Sequence, residues 1–345
     1  MVGFFVVIFL WWLKTVEELK MKRRWMLCLM WFSVPLAYGY EGGYNDAEVH
    51  FVDYFQRTDG IKYLVHNMDK GHIDYAFLMG LPVIKKWSAY DPKPPRYMQG
   101  DDSPVYYYSR TDDLLYRALN TSPHKDRFFP FITGFNPTDM FAAEQIEQMI
   151  DDNPGFWKGI GEVLTRHDSL SALTLGEQAR ANHPALMKVY KVAAKHHLPV
   201  VLHSNITSER EKKPLYKHEL VEALERNPKT RFIWAHAGTS ATLLKRQDLS
   251  FLIDEVAQLL EGYDNLYILA SWSLRDVILN SPQSKEEWVS LITKYPRRFM
   301  MGSDVVGRFR NTGKVLSGWD EILDALPPEV AVDMAKNNML KMVKQ

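Results

Sequence analysis

Six residues of this chain pair a metal-capable side chain with a place at or near the end of a short strand-like run: Glu48, His50, Glu162, His203, His236 and Asp304. His203 closes Pro199-Val200-Val201-Leu202-His203, and His236 closes Phe232-Ile233-Trp234-Ala235-His236. Asp304 ends Phe299-Met300-Met301-Gly302-Ser303-Asp304, and Glu162 ends the looser run Trp157-Lys158-Gly159-Ile160-Gly161-Glu162. Short apolar runs of this kind are what strands buried on both faces look like. Glu48 and His50 stand two apart in the alternating stretch 45–51, so they point to one side of a strand and can reach one ion. Singly, each has an ordinary structural explanation: Glu162 could pair with Arg166, and Ser303-Asp304 is also a turn signal. Jointly, three imidazoles and three carboxylates form a hard-to-borderline donor set that suits zinc, and manganese or iron less well.

The elements that must position these residues alternate regularly. Strand patterns centre on Glu48, Ile73, Phe129, Ile160, Val200, Phe232, Tyr267 and Phe299, which makes eight. Helical patterns separate them over 59–69, 111–119, 137–150, 184–196, 214–227, 249–262 and 285–295, and two more close the chain at 318–326 and 328–343. Eight strands alternating with helices predict an α/β fold, a single-domain (β/α)8 TIM barrel, whose strand C-termini converge on one face. The alternative is an open doubly wound sheet. That fold usually announces a glycine-rich phosphate loop after its first strand, and none is visible. Residues 88–109, rich in Pro, Tyr and Asp, read as a long loop over one end of the fold, with 90–108 a candidate lid.

Composition narrows the partners. Lys and Arg number 42 against 42 Asp and Glu, which argues against nucleic-acid binding. Residues 1–39 read as an N-terminal hydrophobic region. Lys22-Arg23-Arg24, the apolar stretch 25–36 and Ala37-Tyr38-Gly39 together have the layout of a signal peptide. Translation is expected to start at Met21, with cleavage before Tyr40 leaving a domain of 40–345 in the periplasm or outside the cell. The rival is an uncleaved segment that anchors the chain in a membrane, although the run Phe4 to Leu13 is short against the roughly 20 residues a span takes. The single cysteine, Cys28, lies inside this region, so a metal site in the mature chain must use His, Asp and Glu.

The order and spacing of five motifs then become specific. They are Asn45-Asp46-Ala47-Glu48-Val49-His50-Phe51, Gly159-Ile160-Gly161-Glu162, Pro199-Val200-Val201-Leu202-His203, Phe232-Ile233-Trp234-Ala235-His236-Ala237-Gly238 and Phe299-Met300-Met301-Gly302-Ser303-Asp304, followed by the tail 335–340. The chain resembles the amidohydrolase superfamily, in the amidohydrolase-related branch that includes aminocarboxymuconate-semialdehyde decarboxylase. One departure stands out: the family's first strand carries His-x-His, and here the first His is Glu48. The added negative charge shifts metal preference toward oxygen-favouring ions. The resemblance implies that Glu48, His50 and His203 hold a divalent ion, with Glu162 a further or bridging ligand. It makes Asp304 the group that takes a proton from the attacking water. His236 either binds a second ion or polarises the substrate carbonyl.

The activity implied is metal-dependent hydrolysis of an amide, ester or lactone of a small molecule. The alternatives are a decarboxylase of the same family and a metal-free binding barrel altered at Glu48. Arg166, Trp272, Arg275 and Arg308 follow strand ends and are candidate substrate contacts, because arginine forks onto carboxylate or phosphate. His66, His72, His124, His167, His183, His196, His197 and His218 fall in helices or connections and read as surface or structural. A homodimer is compatible with the sequence.

Overall fold

The computed structural model describes residues 39–96 and 103–344. The hydrophobic segment with Cys28 and the expected start at Met21, and the centre of the candidate lid, lie outside the described residues. Among the described residues no helix is long and apolar enough to cross a membrane. From Tyr40 onward the chain forms one compact unit.

In chain order the strands are β1 (Tyr44–His50), β2 (Ile73–Met79), β3 (Val83–Lys85), β4 (Val105–Tyr107), β5 (Phe128–Ile132), β6 (Gly159–Thr165), β7 (Val200–Ser204), β8 (Phe232–Ala235), β9 (Leu266–Ala270), β10 (Phe299–Met301) and β11 (Val305–Val306). All but β3 and β4 join one sheet in the order β10-β9-β8-β7-β6-β5-β2-β1-β11, with every pairing parallel. β10 and β11 are two halves of one interrupted strand. Gly302 N–H donates to Ala270 O at 3.1 Å on one side, and Asp304 N–H donates to Glu48 O at 2.9 Å on the other. The last strand thus pairs with both the ninth and the first, and the sheet closes into the expected eight-stranded barrel. The two short strands β3 and β4 form an antiparallel hairpin, partly inside the stretch read as a loop.

The strands are apolar on both faces because each face meets a different core. Val200, Leu202, Phe232 and Trp234 pack outward against the helices. Val201, Ile233, Phe131 and Met300 fill the barrel interior. Because side chains alternate along a strand, the inward face that carries Val201 also carries His203 two residues later. The interior is closed at the bottom by Met339 and Met342 of the C-terminal segment. That segment is held in place by Asn338, whose Nδ2 donates to Pro296 O at 2.8 Å and Phe299 O at 2.7 Å.

Most expected helices are present with shifted ends. Pro184–Lys195 starts as its sequence suggests: Pro184 occupies the first turn and His183 Nδ1 accepts from Ala185 N–H. The helix expected from Lys285 starts earlier, at Pro282, behind an N-cap on Ser281 that accepts from Ser284 N–H. The single closing helix expected over 328–343 is divided by a wider π-type turn at Asp333–Asn337. The element expected at 318–326 is shorter, the helix Asp320–Leu323. Helices Ala241–Arg246, Leu274–Ile278 and Thr312–Ser317 were not anticipated.

Candidate metal centre

All six residues singled out meet at the C-terminal mouth of the barrel, although Glu162 lies in the middle of β6, which runs on to Thr165, rather than at the end of its strand. Their donor atoms form three overlapping groups: Glu162, His203 and His236; Glu48, His50 and Glu162; Glu48, His236 and Asp304. Within each group the donors lie within 4.8 Å of one another.

Local backbone geometry delivers them there. The pairing of β1 with β2 slips between Asp46 and Val49, a bulge that re-aims Glu48. The bulge is pinned by Asp46, whose Oδ1 accepts from Glu48 N–H at 3.1 Å and from Ser303 N–H at 2.8 Å, tying the first strand to the last. Burial pushes the Asp46 carboxyl up to about 7 against those hydrogen bonds. Glu162 follows Gly161, whose φ of 120° and close approach to the Val201 carbonyl leave no room for a β-carbon. His236, Trp272 and Asp304 each adopt left-handed backbone, with φ of 54°, 42° and 51°. Non-glycine residues rarely accept this conformation, and its concentration at one rim is the pattern of a functional site.

The three imidazoles are oriented from behind. His50 Nδ1 donates to Gly80 O at 2.9 Å, which leaves Nε2 facing Glu162 Oε2 and Asp304 Oδ1, each at 3.4 Å. His203 Nε2 meets Asn205 Oδ1 at 3.0 Å, and its Nδ1 faces Glu162 Oε1 at 3.1 Å. His236 Nδ1 meets Ser271 Oγ at 2.8 Å, and its Nε2 faces Glu162 Oε1 at 3.7 Å and Asp304 Oδ2 at 3.9 Å. Outer partners of this kind fix tautomer and ring orientation around metal ions. Glu162 therefore sits among three ring nitrogens rather than beside Arg166.

The electrostatics match. Burial alone would raise Glu162, but hydrogen bonds with His203, His236 and His50 hold it well below the usual carboxylate range. Burial works against a charge on His50, yet Asp304 and Glu162 raise it well above its ordinary value. Glu48 is driven well above the usual range by burial, then by the Asp304 and Glu162 charges. Both Glu48 carboxylate oxygens are buried without a hydrogen-bond partner. A desolvated carboxylate with no donor, beside two further carboxylates and three aimed imidazoles, fits a divalent cation, and the His, Glu and Asp groups could bind one.

Above the cluster lies a pocket of about 220 Å³, lined by the site residues other than Glu48, with Tyr54, Leu81, Leu164, His167, Leu170, Trp272 and Val306. Among the described residues no lysine or arginine lines it. A larger groove of about 400 Å³ between Leu244 and Trp288 gathers no imidazole, so chemistry rather than size identifies the site. Of the four candidate substrate contacts, Trp272 reaches the pocket and packs against the His236 ring at 5.3 Å. The three arginines are not brought there, because acidic neighbours hold them. Arg166 binds Glu219, at 2.9 Å through Nε, and lies over the Tyr216 ring. Arg308 binds Asp59 at 2.7 Å and Asp53 at 3.1 Å, and Arg275 lies 3.5 Å from Asp276.

His167 corrects the sequence reading, which had placed it among surface or structural histidines. It is buried, lines the pocket and stacks on His203 at 4.4 Å. Burial, then the neighbouring His203, lowers its pKa well below the ordinary value. Its place two residues past the end of β6 is the signal that could have found it. His183 and His196, by contrast, are structural: one caps a helix, and the other pairs with Glu147 at 2.9 Å.

No protein-family model and no curated protein matches the chain. Solved structures do. A TIM-barrel protein from Bordetella bronchiseptica aligns with a TM-score of 0.56 at 10% identity, covering 88% of this chain and all of that one. A dihydroxybenzoic acid decarboxylase from Polaromonas, solved with bound manganese and the inhibitor 2-nitroresorcinol, aligns at 0.55 and 14% identity, covering 88% and 97%. A dihydroorotase from Campylobacter jejuni aligns at 0.52 and 13% identity, covering 88% and 83%. The likeness is to TIM-barrel structures, in keeping with the barrel that the strand and helix pattern predicts. At these identities the likeness establishes the fold.

Proposed function

We propose that this chain is a metal-dependent enzyme that hydrolyses an amide, ester or lactone bond of a small molecule at the mouth of its barrel. The observation that carries this reading is the arrangement of His50, His203 and His236, each oriented by an outer partner so that a ring nitrogen faces Glu162. Glu48, His50, Glu162, His203, His236 and Asp304 would hold the ion. The imidazoles suit zinc, and the three carboxylates move the preference toward manganese or iron. When bound, such an ion polarises a carbonyl and makes water more acidic. Asp304 is the general base in this reading. Its side chain is 14% exposed, against 5% for Glu162 and 0% for Glu48, so it is the carboxylate that meets solvent and substrate. It takes a proton from the attacking water and returns it to the leaving group. Trp272, Leu81, Leu164, Leu170 and Val306 supply apolar walls that exclude bulk water.

Decarboxylation is a second reading, supported by the carboxylate-rich donor set and by the likeness to a decarboxylase holding manganese. Metal analysis of purified protein, followed by assays on neutral lactones, esters and amides and on hydroxybenzoates, tests both. Uptake of oxygen from labelled water into product marks hydrolysis, and carbon dioxide release marks decarboxylation. Protein that takes up no stoichiometric ion and turns over neither class would be the metal-free binding barrel instead.

We also propose that residues 1–39 direct export and are removed before Tyr40. In support, Tyr40 N–H already donates to Asp324 Oδ1 at 2.5 Å, a contact that a free α-ammonium would strengthen. An exported protein whose N-terminus begins at Met1 or Met21 would refute this.

A further inference from the structure

Of the titratable groups that line the pocket, Tyr54 and His167 have no task in the proposed reaction, and His167 is the one stacked on a residue of the cluster. His167 lies in the connection after β6, directly after Arg166, whose φ of 50° turns the chain sharply. That turn lays the His167 ring flat over His203, with the ring planes 27° apart. The ring orientation is set locally. Ser171 Oγ accepts from His167 N–H at 2.8 Å, and Ser169 N–H points at His167 Nδ1 from 3.2 Å. A backbone N–H can only donate, so Nδ1 must be the lone-pair nitrogen, and the proton of the ring is on Nε2. The Asp168 carboxylate does not reverse this. Its Oδ1 is 3.6 Å from Nδ1, beyond hydrogen-bond range, while Oδ2 accepts from Ser240 Oγ at 2.5 Å and Asn205 Nδ2 at 3.4 Å. Nε2 has no partner among the described residues, and the ring lines the pocket.

We propose that His167 is a substrate-binding residue that acts as a fixed neutral hydrogen-bond donor, with Nε2–H held over the pocket to bind an oxygen of the substrate. The inference rests on the enzyme reading above. The substrate class it specifies is narrower: an uncharged molecule with a second oxygen acceptor beside the reacting carbonyl, as in a lactone or ester. With no lysine or arginine on the pocket wall among the described residues, a further anionic group on the substrate would have no cationic partner. A neutral donor suits a neutral oxygen. It also suits an alkoxide leaving group, whose developing charge strengthens the hydrogen bond in the transition state.

The test has two arms. In the first, long-range proton–nitrogen correlation spectra of protein labelled at histidine nitrogen are recorded with and without zinc, and the His167 signals are assigned by their loss in His167→Phe. A pyridine-type Nδ1 and a protonated Nε2, both retained with zinc, are expected. A proton on Nδ1, a doubly protonated ring near neutral pH or direct zinc ligation would overturn the proposal. In the second arm, His167→Phe keeps a flat ring against His203 but removes the donor, and His167→Gln supplies an amide N–H at similar reach. With the best lactone or ester, kcat/KM should fall about tenfold to a hundredfold in the Phe variant at unchanged metal content, and recover most of that loss in the Gln variant. No loss in Phe, or equal loss in both, refutes the donor role. If wild-type protein turns over nothing, the enzyme reading fails, and with it the substrate role, whatever tautomer the first arm finds.

Discussion

A β-carbon on Gly302 would lie 2.7 Å from the Cβ of Glu48 and 3.0 Å from its backbone nitrogen. The glycine is what lets the interrupted last strand press against the first closely enough to seat Glu48 in the cluster. Gly302→Ala should displace Glu48 outward, lower zinc or manganese affinity about tenfold or more, and cost about 1–3 kcal/mol of folding stability. Isothermal titration of the metal-stripped variant and its denaturant midpoint measure both; an unchanged affinity would show that Glu48 is not a ligand.

Glu48 itself should show opposite effects with and without metal. Burial, with the Asp304 and Glu162 charges behind it, opposes its ionisation, and neither oxygen has a donor. Glu48→Gln removes that opposed charge, so it should raise the melting temperature of chelator-treated protein. The same change removes an anionic ligand and should shrink the rise that zinc or manganese produces. Melting curves of both proteins, each with chelator and with metal, give four values. A uniform loss in all conditions would mean that Glu48 serves packing alone.

Asp304→Asn retains the shape of the rim and removes the proposed base. Turnover of any substrate found should fall about a hundredfold to ten-thousandfold, with most of the metal still bound. Activity and metal content measured on the same preparation decide it, and near-normal turnover would assign the proton transfer elsewhere.

Asp112 predicts a pH effect away from the cluster. It accepts from Thr133 N–H at 3.1 Å and Gly134 N–H at 2.8 Å, yet burial pushes its carboxyl up to about 7. In the unfolded chain it titrates near 3.9. Between about pH 4 and pH 7 the folded chain therefore holds a proton that the unfolded chain has released, so stability is full below this window and declines as pH rises through it. Asp112→Asn should flatten that decline. The comparison to make is the drop in melting temperature from about pH 5 to pH 8 in each protein. An equal drop in the two would refute the assignment.

The barrel and the six residues singled out were legible because one physical cause produces both signals. A strand buried on its two faces must be apolar throughout, so a polar side chain at its end, as in Val200-Val201-Leu202-His203, stands out against the run. His167 was not legible for the complementary reason. It follows β6 in a connection without periodicity, and only the backbone turn at Arg166 brings its ring back over His203. The arginines failed to reach the pocket because closeness to a strand end says nothing about partners. Glu219, on the helix Lys217–Arg226, claims Arg166 through a contact that no local pattern encodes. The hairpin of Val83–Lys85 and Val105–Tyr107 was hidden by its brevity, since three residues carry too little alternation to separate a strand from a loop.

The two-part last strand and the methionine floor also impose an order on the making of this molecule. Asp304, the pairing of β11 with β1, and Met339 and Met342 beneath them all come from the final stretch of the polypeptide. Glu48 and His50 leave the ribosome early and must wait, unpaired along one edge, until nearly the whole chain has emerged. Assembly of the full set of donor groups thus belongs to the end of maturation, and a chain released a few dozen residues short would keep most of its strands while lacking a finished ring.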